Sequence, residues 1–189
     1  QRDDARRVLS GVFTMGIKRE WCKENPMSKI EALALEEKEI FALTPEEVRG
    51  LFQAAPEDCI AALAVMTFAG IRPEEATRLT WEDINMEEMV ISVRGRSSKT
   101  GGTRHVTIEP ALQSWLVVSE HKEGNITPEK WDRKWRLLRA KAGWNTKTKP
   151  WQADALRHTS ASYHVKKYKD FPRLQVEMGH VYSAFIRQR

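Results

Sequence analysis

Apolar residues recur every three or four positions along most of this chain, and the places where that rhythm fails mark the joints. Val8, Leu9, Val12, Phe13, Ile17 and Trp21 repeat at helical spacing and predict a helix from Arg2 to about Trp21. The rhythm stops at Asn25-Pro26, and "CKENPMSKIEALALEEKEIFA" shows no clear period after it. "LTPEEVRGLFQAA" then opens with a capping box: Thr44 as the cap, Pro45 in the first helical position and Glu47 three residues after the cap. Asp58 to Ala69 is nearly all apolar and stops at Gly70, which predicts a buried helix with a glycine terminus. "RPEEATRLTWEDIN" reads as a short helix entering a turn.

Beyond it the period shortens to two. Met89–Val93 ("MVISV") and Arg104–Ile108 ("RHVTI") are β-rich and flank "RGRSSKTGGT", so they predict a hairpin with a basic tip. Helical spacing resumes in "PALQSWLVVSE" and in "TPEKWDRKWRLLRAKAG", the latter expected to be capped at Thr127-Pro128 and to end at Gly143. Two further helices follow, around Leu156–Lys167 and Phe171–Met178. The pattern is mainly α with a small antiparallel β-sheet, an α+β fold. Residues 1–35 read as the end of an upstream helical domain plus a linker, and 36–189 as one domain of its own.

Composition narrows the class. A chain of 189 residues with 41% hydrophobic and 30% charged residues can bury a core, and its longest apolar run, Cys59–Ile71, is too short to span a bilayer. No targeting segment is visible, and two cysteines form neither a disulfide framework nor a metal knuckle, which fits a reducing cytoplasm. The net charge of +5 conceals a division: residues 1–93 carry net −7 and residues 94–189 net +12. That asymmetry points to a polyanion against the second half, with a solvated basic face as the plainer alternative.

Four side chains fall where elements meet. Arg72 follows the helix-ending glycine, Lys99 sits on the hairpin tip, Arg157 opens a helix, and His180 follows "MG" at the end of another. Singly each has an ordinary explanation: a salt bridge from Arg72 to Glu74 or Glu75, an exposed lysine, a packed histidine. Together they suit a phosphodiester, because arginine forks engage two phosphate oxygens while lysine and histidine can move protons.

"FAGIRPEEATRLTWEDIN", "SSKTGGTRHVTI", "DALRHTSASY" and "EMGH" resemble, in order, the boxes of the tyrosine recombinase (phage integrase) family over roughly residues 40–189. The resemblance implies that family's catalytic-domain fold, with residues 1–35 as the last helix of a core-binding domain and its linker. It implies that Arg72 and Arg157 clamp a scissile DNA phosphate, Lys99 protonates the departing 5′ oxygen, and His180 donates to a phosphate oxygen. Glu75 matches a structural glutamate and His158 a histidine beside the second arginine. The implied partners are double-stranded DNA and further copies of the protein assembled on it, in a bacterial or phage-encoded cytoplasmic setting, with no membrane and no cofactor. No metal is expected either: the spacings of His158, His164 and His180 match no common ligand pattern.

Two departures from the family pattern stand out. Asp154 occupies a position where a histidine or lysine is common. A carboxylate there repels phosphate unless a cation pairs with it, which leaves two roles open, orienting Arg157 or accepting a proton. The nucleophilic tyrosine is expected nine or ten residues past His180, hence just after Arg189. Tyr182 stands too close to His180, and Tyr163 and Tyr168 lie upstream. The alternatives to a recombinase are a DNA-binding remnant without its nucleophile and a type IB topoisomerase-like enzyme. The seven tryptophans are expected in the core or between domains.

Overall fold

The computed structural model describes residues 2–30, 41–95, 102–119, 123–145 and 147–179. It divides into two compact units, Gln1–Glu39 and Ile40–Arg189. In the first, α1 (Arg2–Lys18) stops three residues short of Trp21. Glu20 takes a left-handed conformation (φ 60°), and the Trp21 amide donates back to Gly16 O at 2.9 Å, so the chain turns off the helix axis in a Schellman-type end. Asn25 then caps a single 3₁₀ turn, Pro26–Lys29, and ties it to α1 through Ser10 Oγ at 3.0 Å. Within this unit the predicted apolar stripe stays largely uncovered, with Val8 67% and Val12 54% exposed.

The second unit is built around α3 (Ile60–Phe68), in which every residue from Ala61 to Thr67 is buried. A helix buried on all sides needs neighbours all round. It has them in α2 (Pro45–Ala54), in α5 (Pro110–Val117) and in α7 (Ala155–Tyr168). The capping box that starts α2 is present in both directions: Thr44 Oγ1 accepts from the Glu47 amide, and Glu47 accepts from the Thr44 amide at 2.9 Å. Thr159, buried in α7, accepts from the Leu43 amide at 2.8 Å and so fastens α7 to the segment entering α2.

After the short α4 (Pro73–Ala76) comes a sheet one strand larger than the sequence pattern predicts. Its order is β1 (Ile84–Asn85), β2 (Val90–Val93) and β3 (Arg104–Thr107), antiparallel throughout. β1 has only two residues, too few to show a period of two, and its partner is fixed by the intervening turn, where Asn85 Oδ1 accepts from the Glu87 and Glu88 amides. Ile91 pairs with Val106, and both face the core. The hairpin tip, Lys99 included, lies outside the described residues.

A second correction concerns α6 (Trp131–Lys141), which begins at Trp131 and not at Thr127-Pro128. The preceding strand-like segment is claimed elsewhere: the Ile126 amide donates to Leu79 O at 2.9 Å and Asn125 bridges to Thr80. Lys130, at φ 57°, then turns the chain into the helix. Beneath α6 the tryptophans pack as a run, Trp131 on Trp135, Trp135 on Trp151, Trp151 on Trp144, with Phe41 against the end. Trp131 and Trp144 are buried and Trp135 and Trp151 pack partly buried against the same core, as expected, whereas Trp21 in the first unit is 70% exposed. The last described helix is α8 (Phe171–Glu177), lying against β3 and α7. Among the described residues no helix is long and apolar enough to cross a membrane.

Candidate active site

The site grows from the glycine that ends α3. Gly70 has φ +61°, and a Cβ there would lie 2.8 Å from Met178 Cε and 3.2 Å from Ser160 Oγ. Only glycine lets α7 and the end of α8 come this close. The Ile71 amide returns to Val65 O, and the backbone then leaves α3 so that Gly70 O points toward α7.

Arg157 reaches that carbonyl from 87 residues away: its Nη1 donates to Gly70 O at 2.6 Å, and its Nη2 to Met178 O at 2.5 Å. The side chain is buried, 6% exposed. Burial lowers its pKa, and the nearby positive charges of Arg72 and Arg104 lower it further against the pull of Glu75 and Asp154, to about 10. Arg157 therefore stays charged at neutral pH, but under electrostatic pressure that an additional anion would relieve.

Arg72 caps α4 two residues after Gly70. Its amide donates to Glu75 Oε2 at 3.0 Å and its Nη1 to Glu75 Oε1 at 3.2 Å, while its side chain remains 37% exposed. Glu75 is the carboxylate at the centre. Arg104, from β3, grips it with both terminal nitrogens, Nη1 to Oε1 at 2.9 Å and Nη2 to Oε2 at 2.7 Å. Burial would raise the Glu75 pKa, but the hydrogen bonds from Arg104 and the Arg72 amide, with the charges of both arginines, outweigh it and bring the carboxyl to about 2. One ionised carboxylate thus holds two arginines, Arg72 and Arg104. A cavity of about 360 Å³ opens beside it, bounded by Glu75, Arg78, Asp83 and Arg94.

The structure brings Arg72 and Arg157 together, with Glu75 as the shared neighbour. Asp154 stands at the cap of α7 with φ 55°; it makes no side-chain capping bond there, and its charge acts on Arg157. His158 is exposed on α7. Lys99 and residues 180–189, His180 and Tyr182 among them, lie outside the described residues; the tyrosine nucleophile was expected just after Arg189. The upstream tyrosines have structural partners: Tyr168 Oη donates to Glu109 Oε2 at 2.8 Å and Tyr163 Oη to Leu43 O at 3.4 Å. Among the described residues no group of three or more His, Cys, Asp or Glu is arranged to hold a metal ion.

Sequence reasoning missed Arg104 and Glu177. Arg104 Nε donates to Glu177 O at 2.8 Å, and the Glu177 carboxylate accepts from Thr107 Oγ1 at 2.8 Å and Arg173 Nε at 2.9 Å. Arg173 Nη2 continues to Glu109 Oε1 at 2.5 Å. The available signal was weak: an arginine at the head of a short strand, facing Val93 across the hairpin.

Comparison with known proteins gives this geometry a lineage. The family model described as the phage integrase family matches residues 42–188. The ICEBs1 integrase of Bacillus subtilis (strain 168) is 26% identical over 167 residues, covering 87% of this chain and 42% of that protein. Tyrosine recombinase XerA of Pyrococcus furiosus is 30% identical over 158 residues, covering 74% of this chain and 53% of that protein. The chain therefore spans about half the length of these relatives. A crystal structure of a lambda integrase dimer bound to a COC′ core site superimposes with a TM-score of 0.68 at 20% identity, over 97% of this chain and 73% of that one, a likeness of fold.

Proposed function

The chain belongs to the phage integrase family, and on that premise we propose that it breaks and rejoins double-stranded DNA at specific sites through a phosphotyrosyl intermediate. The observation that carries this reading is the convergence of Arg72 and Arg157 beside Gly70 and Glu75, near enough for their charges to act on one another. A phosphodiester would bring negative charge to the two arginines, and its pentavalent transition state more, so the cluster favours the transition state over the ground state.

In this reading Arg72 and Arg157 clamp the non-bridging oxygens. Lys99 gives the proton to the 5′ oxygen as it leaves, and His180 donates to a phosphate oxygen. The attacking tyrosine would come from beyond Arg189. Asp154 would bias Arg157 rather than act on the phosphate. Strand exchange needs two or more protomers on one DNA assembly, as in the DNA-bound dimer of lambda integrase.

The test is covalent capture of DNA by the protein read through the expected tyrosine, with Arg157→Ala beside it. Losing one charge-assisted contact costs about 1.5–3 kcal/mol, so the variant should cleave at least tenfold more slowly while DNA affinity falls with rising salt in both proteins. Parental cleavage by Arg157→Ala, or binding indifferent to salt, would defeat the proposal.

A further inference from the structure

The function proposed above uses two arginines, yet three surround Glu75. We propose that the third, Arg104, is a positioning residue: it braces the carboxylate that holds Arg72 against the end of α8, and so fixes the backbone that leads into His180. This rests on the DNA-cleaving function proposed above.

The geometry separates Arg104 from Arg72 by exposure, and from Arg157 by its partner, a carboxylate where Arg157 has two carbonyls. All three of its nitrogens are committed, two to Glu75 and Nε to Glu177 O. Its side chain is 13% exposed, against 37% for Arg72. An arginine so placed cannot turn to a phosphate without breaking its own bonds to a carboxylate, which would leave that buried carboxylate with Arg72 as its one remaining arginine here. Its role is to hold.

What it holds lies at one short stretch. The carbonyl of Glu177 accepts from Arg104 and the next carbonyl, Met178, accepts from Arg157. Gly179, at φ +63°, lies against the same arginine: a Cβ there would sit 3.1 Å from Arg104 Cδ and 3.4 Å from Nε. Two consecutive carbonyls are thus held by the two buried arginines, Gly179 packs beside one of them, and the next residue in the sequence is His180. The end of α8 would otherwise present bare carbonyls. Glu177 adds a second tether, its carboxylate bonded to Thr107 on β3 and to Arg173 on α8. Through Arg104 the segment after Gly70, the hairpin stem and the end of α8 are tied to one another.

Lysine cannot substitute. An ammonium is a point donor and cannot match both oxygens of Glu75 while also reaching a carbonyl on the opposite side. Because the catalytic groups must be placed to well within an ångström, slackness at α8 should reduce the rate and leave affinity alone; misplacement by about 1 Å costs on the order of a hundredfold.

The experiment compares the parent protein, read through the expected tyrosine, with Arg104→Met, Arg104→Lys and Asp58→Asn. Asp58 pairs with Lys134 away from this cluster and serves as a control for lost stability. A randomised library of duplexes carrying 5′-bridging phosphorothiolates is selected once with the parent, and single-turnover capture is then followed at saturating DNA. Amide exchange is followed at Met178 and Gly179, whose amides donate to Leu174 O and Val176 O. Expected are capture about a hundredfold slower in Arg104→Met, only partial rescue in Arg104→Lys, unchanged DNA affinity, and faster exchange at residues 178 and 179 but not in α3. Asp58→Asn should change neither capture nor that exchange. Parental capture rates in Arg104→Met, full rescue by lysine, or unchanged exchange at 178 and 179 would overturn this inference alone. A parent that captures no duplex would overturn the proposed function and this inference with it.

Discussion

The apolar surroundings of α3 and the charged network beneath α8 hold the same domain together by opposite means. Around α3, Leu63, Val65 and Met66 are wholly buried among Leu51, Leu112 and Leu156, and no single contact is decisive. Apolar burial has no direction, so many neighbours share the task and a similar side chain can take another's place. Under α8 the chain of bonds runs from Arg72 through Glu75, Arg104, Glu177 and Arg173 to Glu109. Each link there is a directed bond that must meet its own length and angle. The first region tolerates variation and supplies most of the stability. The second tolerates little, and what it supplies is position.

Glu75→Gln puts that difference to the largest test. It keeps the shape of the side chain but leaves Arg104 and Arg72 with no counter-charge, and breaking a buried pair by removing one partner costs about 3–5 kcal/mol. Leu63→Ala should cost a similar amount, about 2–5 kcal/mol. Acid separates them. The Glu75 carboxyl titrates at about 2 in the fold against an ordinary 4.5. Its folded pKa is depressed, so its contribution is complete above about pH 4.5 and is lost as the pH falls toward 2. In denaturation series the Glu75→Gln deficit should therefore shrink between these values, whereas the Leu63→Ala deficit should persist. Parallel behaviour of the two variants would mean that the network is held by packing and not by charge.

The same contrast explains what the sequence disclosed. The helices were legible because apolar spacing writes a continuous face into neighbouring residues, and the capping box of α2 because Thr44 and Glu47 are three residues apart. The family boxes proposed Arg72 and Arg157 for one site before any coordinates; in the structure Arg157 donates to the carbonyl of Gly70, two residues before Arg72, whose charge acts on it. Arg104 escaped notice because its partners are 29 and 73 residues distant and a polar pair leaves no period. β1 escaped because two residues cannot alternate visibly. Thr127-Pro128 misled because a good capping sequence was already spent on the bridge that joins Asn125 to Thr80.

A smaller effect is expected where the two regions touch. Gly70 ends α3 and offers its carbonyl to Arg157. Gly70→Ala must hold an L-residue at φ +61° and crowd Ser160, whose Oγ would be 3.2 Å from the new methyl group. The left-handed conformation alone costs about 1–2 kcal/mol. We expect a modest drop in the thermal midpoint together with a disproportionate loss of DNA cleavage, because the backbone shift is passed directly to the Arg157 guanidinium. Loss of stability with cleavage intact would place Gly70 with the apolar core alone.

The smallest effect sharpens the meaning of the largest. Lys29 and Glu24 form an ion pair at 3.2 Å, chemically akin to Arg104 and Glu75, but their side chains are 71% and 73% exposed. Water already solvates both charges, and ordering two flexible side chains offsets most of the attraction, so such pairs contribute about 0–1 kcal/mol. Lys29→Ala should leave the denaturation midpoint where it was, and added salt should erase any residue of an effect. The deficit of Glu75→Gln, in a site shielded from mobile ions, should survive the same salt. If both variants responded alike, burial would not be what gives the Glu75 network its hold on the site.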